Sequence, residues 1–504
     1  MAKLHFDWIA HHAGLTPDRL AMVDLASGRR FSYAAFDRRI ARLAGHLRDG
    51  CGIGRGDRVA VLAMNSTDIF EIQFACMRLG AIFVPLNWRL TVPELAFIIG
   101  DVGPRLLIHD PEFAETAAVL AQRQDGLGLL VHDAAGYEAA LAAAVPLAGF
   151  ERMDHDDIVT IMYTSGTTGR PKGAMITYGM HFWNAVNLNI VGLTAASTTL
   201  TFMPLFHIAA LNNFSNPAFH VGGAVVVMRS FDPALVLRVI SDPDRAVTHF
   251  LGAPATYLFM SQQPEFADAD FSRLEVAGVG AAPMPLSLLE TWQRRGVTIQ
   301  QGYGMTETGP SVLFLPKHEA ARKSGSSGKP LLYCEMRITR EDGTEAAAEE
   351  VGEIWVKGPS ITPGYWNRPD VNEAVFQDGW FKTGDLARRD GEGFYYIVDR
   401  CKDMYISGGE NVYPAEIENV LYQIAAVGEA AVIGVADERW GEVGHAIVAV
   451  RAGHALDEAA ILSHCRENLA GFKIPRAIRF VDALPRNATG KVHKPTLRER
   501  FGKM

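Results

Sequence analysis

Cysteine is scarce in this 504-residue chain: five residues (Cys51, Cys76, Cys334, Cys401, Cys465), widely spaced and with no Cys-x-x-Cys pair. An odd, scattered set excludes a disulfide scaffold and points to a reducing, cytoplasmic setting. The 16 histidines include no His-Glu-x-x-His and no Cys/His finger spacing, so no structural metal site built by the protein alone is expected. No uncharged apolar run reaches about 18 residues, which excludes a spanning helix. Positive charge is not in excess: 48 Lys and Arg stand against 57 Asp and Glu, a formal net charge of −9. A partner held through phosphates along a nucleic acid needs the opposite balance, so nucleic acid is excluded as the main partner. Residues 1–15 carry Lys3, Asp7 and three histidines with no apolar core and cleavage site, so no export signal is expected.

Apolar residues, by contrast, are plentiful at 48%, enough for several cores, and the length suits about three structural units. Short β-rich runs alternate with helical stretches: Val59 to Ala63, Ile158 to Tyr163, Ala224 to Met228, Val276 to Val279 and Val297 to Gln300 read as buried strands. This alternation predicts an α/β architecture. From about Gly352 the sequence becomes strand-rich and punctuated by turns, as at Glu353 to Lys357 and Phe394 to Val398. After Asp399 a smaller unit is expected, with helices at Pro414 to Leu421 and Ala459 to Asn468 and strands at Ala430 to Val435, Ala446 to Val450 and Ile478 to Val481. That is an α+β domain of about 100 residues, a common domain size. The Ser324–Gly328 stretch reads as the most flexible loop.

Three segments carry the chemistry. After the strand Ile158 to Tyr163 comes Thr164-Ser165-Gly166-Thr167-Thr168-Gly169-Arg170-Pro171-Lys172-Gly173. Its hydroxyls, glycine backbone and Lys172 suit phosphate oxygens, although it lacks the Walker A spacing. Gln301-Gly302-Tyr303-Gly304-Met305-Thr306-Glu307-Thr308 sets a ring able to stack on a base beside a hydroxyl for phosphate and a carboxylate for Mg²⁺. Phe381-Lys382-Thr383-Gly384-Asp385 offers a carboxylate to two ribose hydroxyls.

In this order the segments resemble the core motifs of the adenylate-forming superfamily, which comprises acyl-CoA synthetases, aryl-CoA ligases, luciferases and peptide-synthetase adenylation domains. Gly364-Tyr365-Trp366-Asn367, Asp399 to Asp403, Ser407 to Pro414 and Pro485 to Lys491 extend the resemblance over essentially the whole chain. It is most similar to bacterial fatty-acyl-CoA and aryl-CoA synthetases. The resemblance implies a large α/β domain with a β-rich subdomain over residues 1–399, a hinge at 400–402 and a small mobile α+β domain over 403–504. It implies ATP and Mg²⁺ as reagents, CoA as the thiol acceptor and a small-molecule carboxylic acid as substrate.

Carried over position by position, Thr164, Ser165, Gly166, Thr167, Thr168, Gly169 and Lys172 would hold the β- and γ-phosphates. Gln301, Gly302, Tyr303 and Gly304 would line the adenine site, and Asp385 and Arg400 would bind the ribose. Glu307 would bind Mg²⁺, Thr306 would contact the α-phosphate, and Lys491 would bridge carboxylate and α-phosphate during adenylation. Lys402 matches the hinge, and Ser407, Gly408 and Gly409 the tunnel for the pantetheine arm. The position where some relatives carry a second lysine is Ile406, so no lysine is assigned to thioester formation. Lys473 and Arg476 are expected, on charge alone, to meet the CoA phosphates. His207 in Phe206-His207 lies beside the acyl site, whose walls would include Ala253, Gly280, Ala281, Ala282 and Met305. These small side chains leave room for a medium- or long-chain fatty acid, the leading expectation. An aryl acid of the coumarate or ferulate type, or loading of a separate carrier protein, are the alternatives. The family is compatible with a homodimer and with peripheral contact at a membrane surface.

Overall fold

The computed structural model describes residues 4–164, 171–282, 284–408, 410–487 and 491–502. Ser165, Gly166, Thr167, Thr168 and Gly169 of the phosphate segment, and Gly409 of the expected tunnel, lie outside the described residues.

Among the described residues the strands form four sheets. The largest has nine strands, in the order Lys329–Pro330, Ser311–Phe314, Ile299–Gly304, Val276–Val279, His249–Gly252, Thr198–Thr201, Ala224–Val227, Leu20–Asp24 and Arg30–Ser32. From Ile299–Gly304 to Leu20–Asp24 neighbouring strands run parallel. Parallel strands are covered on both faces, which is why Ala224–Val227 and Val276–Val279 are buried at every position and read as unbroken apolar runs. The second sheet has six strands, Gly128–Val131, Leu106–His109, Arg58–Leu62, Ile82–Pro85, Ile158–Thr164 and Lys172–Thr177. Its last two strands pair antiparallel, with Thr164 facing Lys172.

Helix Thr67–Leu79 touches both Ile82–Pro85 of one sheet and Leu20–Asp24 of the other, and is buried on every face. Its charged side chains are therefore inside the protein. Arg39 pairs with Glu71, His132 bridges Asp68 and Asp110 at 2.8 and 2.7 Å, and Arg78 meets Asp7 at 2.6 Å. A buried charge is tolerated only with such partners.

The β-rich expectation after Gly352 corresponds to a five-stranded antiparallel sheet, Glu335–Thr339, Gly352–Lys357, Trp380–Arg389 and Phe376–Gln377, with Tyr395–Arg400 also paired to Trp380–Arg389. The unit that follows has Val427–Asp437 and Gly441–Val450 at its centre, flanked by helices Pro414–Leu421 and Glu458–Asn468, close to the expected ranges. The loop at Ser324–Gly328 is not the flexible one expected. Ser326 and Ser327 are buried, Ser326 Oγ donates to the carbonyl of Tyr395 at 2.8 Å, and the Gln301 amide donates to the Ser326 carbonyl at 3.2 Å. Small polar residues here fit a tight space between two sheets.

No helix among the described residues is long and apolar enough to cross a membrane.

Candidate active site

The carboxyl ends of four adjacent parallel strands, Thr198–Thr201, His249–Gly252, Val276–Val279 and Ile299–Gly304, open onto one edge of the nine-stranded sheet. Ligands of open parallel sheets bind at such ends. Ala253 follows the second strand directly, Gly280-Ala281-Ala282 the third and Met305-Thr306-Glu307 the fourth. His207 follows the first after a short turn, its ring 4.5 Å from that of Phe206. Ala281 adopts φ 74°, a left-handed conformation that costs a non-glycine residue and is held there by its surroundings. Phe206 packs edge-on against Trp88 at 6.4 Å, and the Arg89 guanidinium lies 4.6 Å from the Trp88 ring. Behind this edge, between Leu200, Phe202, Phe214 and Leu251, the free space is about 10 Å³, roughly the room of one water.

Tyr303, Asp385 and Arg400, assigned from the sequence to adenine and ribose, meet one another. The Tyr303 phenol donates to Asp385 Oδ2 at 2.8 Å, and Arg400 Nε stands 3.3 Å from Asp385 Oδ1. Asp385 and Arg400 face each other across antiparallel strands, which fixes their spacing. Burial, followed by the Asp385 charge, pushes the Tyr303 phenol well above its usual range, so it is a donor here. Gln301 is buried beneath them, its amide spent on Ser326 and on the backbone N–H of Met284. Gly304 is demanded by crowding: a Cβ there would stand 1.8 Å from the carbonyl oxygen of Pro310. Thr306 and Glu307 lie on the 3-10 turn Thr306–Thr308 that follows.

Glu307 is 4% exposed and accepts a 2.6 Å hydrogen bond from the Tyr365 phenol. Burial raises its pKa. Lys172 Nζ lies 5.4 Å from the centre of the same Tyr365 ring, so Tyr365 lies between the start of strand Lys172–Thr177 and the carboxylate. The contact of Tyr365 with Glu307 was not legible in the sequence, where Tyr365 stood only as part of Gly364-Tyr365-Trp366. Its one available signal was a tyrosine between a glycine and a tryptophan in a turn.

Lys491 arrives from the opposite end of the chain. It is half-buried, its backbone N–H donates to Asn487 Oδ1 at 3.0 Å, and it lies within electrostatic reach of Arg400, Asp385 and Glu307. Burial first, and the Arg400 charge second, push its pKa down to about 8. Lys402 is exposed. Next to it the Cys401 N–H donates to the Gly384 carbonyl at 3.0 Å, and Arg498 grips Asp403 at 2.7 Å, so the 400–403 stretch is tied on one side to the β-rich sheet and on the other to the last helix, Lys494–Phe501. Ser407 is buried and Gly408 packs under Trp440, with φ 61° and no space for a Cβ. Neither touches the Tyr303–Asp385 group. Lys473, expected at the CoA phosphates, is paired with Glu416 at 2.7 Å. Among the described residues no group of three or more His, Cys, Asp or Glu side chains is placed to hold a metal ion.

A large domain built on a parallel sheet, followed by a β-rich sheet and a small C-terminal unit, is the architecture of an adenylate-forming enzyme. Residues 9–366 match the AMP-binding enzyme family and residues 416–491 the AMP-binding enzyme C-terminal domain, and the chain belongs to this family of acid–thiol ligases. It is 43% identical over 496 residues to a feruloyl-CoA synthase from an Amycolatopsis species, covering 98% of both chains. It is 36% identical over 497 residues to the long-chain-fatty-acid–CoA ligase FadD13 of Mycobacterium tuberculosis, covering 98% of this chain and 97% of that one. The o-succinylbenzoate coenzyme A synthetase MenE of Bacillus subtilis, solved in complex with ATP and magnesium ion, superimposes with a TM-score of 0.88 at 34% identity, over 99% of this chain and 100% of that one.

Proposed function

We propose that this chain converts an aryl carboxylic acid, of the ferulate or coumarate class, to its CoA thioester through an acyl-adenylate made from ATP. The meeting of Tyr303, Asp385 and Arg400, together with the buried Glu307 held by Tyr365, carries the reading of the chemistry. In the first step a carboxylate oxygen of the acid attacks the α-phosphorus of ATP and pyrophosphate leaves. In the second the CoA sulfur attacks the acyl carbon, AMP leaves and the thiol proton passes to solvent. Both steps build negative charge on oxygen, so placed cations and N–H donors do the work.

Asp385 and Arg400 hold the ribose, with Tyr303 against the base. Lys172 and the residues of the 164–172 segment hold the β- and γ-phosphates. Lys491 spans the acid carboxylate and the α-phosphate, and Thr306 meets the same phosphate. The buried Glu307 fits Mg²⁺, because a bound cation offsets the desolvation that raises its pKa. With one protein carboxylate the ion would take its other ligands from phosphate and water, as Mg²⁺ commonly does, and it would neutralise charge on the phosphates. The 400–402 stretch is the proposed hinge between domains 1–399 and 403–504, after whose rotation Ser407, Gly408 and Gly409 line the pantetheine tunnel.

One observation favours an aryl over a long alkyl acid: the feruloyl-CoA synthase is the more similar of the two ligases, at 43% against 36%. A fatty acid, the leading expectation from sequence, is the second reading, favoured by the 36% identity to the mycobacterial ligase. AMP formation with ATP, Mg²⁺ and CoA across ferulate, coumarate, hexanoate, dodecanoate and palmitate separates them. The expected result is a kcat/KM at least about tenfold higher on the aryl acids, a ratio within what one pocket achieves. A peak on dodecanoate or palmitate overturns the aryl assignment, and pyrophosphate release with no CoA-dependent turnover moves the acceptor to a carrier protein.

A further inference from the structure

The segment 362–366 joins the two places that handle phosphate. On one side it lies against the strand Lys172–Thr177: Tyr365 bridges to Ala174, the Met175 N–H donates to the Gly364 carbonyl at 3.0 Å, the Trp366 N–H donates to the Gly173 carbonyl at 2.8 Å, and Thr362 Oγ1 donates to the Met175 carbonyl at 2.7 Å. On the other it holds Glu307 twice, through the Thr362 N–H to the Glu307 carbonyl at 2.8 Å and through the Tyr365 phenol to Oε1 at 2.6 Å. The Tyr365 backbone is clamped as well. Its N–H donates to Asn372 Oδ1 at 2.7 Å and its carbonyl accepts from Asn372 Nδ2 at 3.1 Å, so a side-chain amide closes around it much as a neighbouring strand would. Gly364, at φ 141° and with a Cβ position 2.8 Å from the Asn372 amide, admits this clamp and no side chain.

From this geometry we infer that Tyr365 is a positioning residue for the metal: it fixes the Glu307 carboxylate through one oxygen and ties its placement to the hairpin that carries Lys172. The inference rests on the reading of Glu307 as the Mg²⁺ ligand. A phenol so clamped cannot follow a rotating carboxylate, so it selects one rotamer of Glu307 and leaves Oε2 to the ion. Partners of this kind, which touch a ligand and not the metal, change affinity by about 10- to 100-fold when removed.

The test is direct binding of Mn²⁺, in place of Mg²⁺, to the full-length protein with α,β-methylene-ATP, followed by loss of the free Mn²⁺ paramagnetic signal. Wild type, Glu307→Gln, Tyr365→Phe and Asn372→Ala are compared, and the Mg²⁺ requirement for pyrophosphate release is read in parallel. Tyr365→Phe is expected to weaken Mn²⁺ about tenfold and to raise the Mg²⁺ concentration for half-maximal release, with kcat recovering at high Mg²⁺. Asn372→Ala, which keeps the phenol and loosens its clamp, is expected to weaken Mn²⁺ in the same direction, and it serves alone if the phenylalanine variant does not fold. If Glu307→Gln weakens Mn²⁺ while both other variants bind it within threefold of wild type, the positioning role is overturned and the Glu307 reading stands. If Glu307→Gln itself binds Mn²⁺ within threefold of wild type, the reading of Glu307 fails and the inference with it.

Discussion

Adding one methyl group at Gly304 tests whether the spacing between the strand Ile299–Gly304 and the turn that carries Glu307, the proposed Mg²⁺ ligand, matters for catalysis. The Cβ of Gly304→Ala would stand 1.8 Å from the Pro310 carbonyl oxygen, where real Cβ atoms keep at least 3.0 Å. The oxygen belongs to backbone and a Cβ is fixed rigidly to its own, and Gly304 pairs with Ser311 in the hairpin Ile299–Gly304 with Ser311–Phe314, so no flexible side chain can swing aside. The chain itself must move by roughly 1 Å. Glu307 lies three residues away in the same turn, and a displacement near 1 Å at reacting groups costs on the order of 100-fold in rate. Overpacking of this kind also removes about 1–3 kcal/mol of stability. The assays are kcat/KM for pyrophosphate release on the best acid, and the urea midpoint of the large domain. Gly391→Ala serves as the control, because nothing stands within 4 Å of its Cβ position and no left-handed φ is required. The expected outcome is about 100-fold lower kcat/KM for Gly304→Ala, and wild-type behaviour for Gly391→Ala. A Gly304→Ala enzyme within threefold of wild type would refute the argument that this close approach sets the turn carrying Glu307.

Two further expectations concern groups far apart in the fold. Buried His181 is pushed down to about 3 by desolvation and by neighbouring His5, so the unfolded chain binds the proton first and stability is lost as pH falls below 6.5. At pH 5 that loss is about 2 kcal/mol relative to pH 8. His181→Leu should remove this part of the pH dependence of the urea midpoint, and an unchanged slope would discount the buried imidazole. Comparing variant with wild type matters, since His132, raised to about 9 between Asp68 and Asp110, contributes stability below pH 6.5 that fades as pH rises through 9. Lys491→Ala should slow pyrophosphate release by about 100- to 1,000-fold. It should leave thioester formation from a preformed acyl-adenylate near wild type, and equal losses in both half-reactions would remove Lys491 from the adenylation step.

The parallel strands were legible because burial on both faces writes an unbroken apolar run, as in Ala224–Val227. The motif residues Tyr303, Asp385 and Arg400 were legible as local patterns, and they meet because antiparallel register places Asp385 opposite Arg400 and the Tyr303 phenol reaches Asp385. Helix Thr67–Leu79 misleads a pattern reader: Asp68, Glu71 and Arg78 look like a solvent face, yet partners distant in sequence (Arg39, His132, Asp7) let them lie inside. The same distance hid the bond between Tyr365 and Glu307. Composition misjudged Ser324–Gly328, since serine and glycine serve a buried hydrogen-bonded turn as well as a mobile one.

The proposed acid-facing residues, His207, Ala253 and Gly280 to Ala282, sit on loops that follow separate parallel strands, whereas Asp385, Arg400 and Tyr365 belong to the β-rich sheet and the 362–366 segment. Selection for a new acid can thus act on three short loops whose ends are anchored by the sheet. On that proposal, enlarging Ala253 or Ala282 would narrow the range of acids accepted without rewriting the residues proposed to hold the nucleotide. An engineer wishing to retarget the enzyme has a short and separable set of positions to randomise.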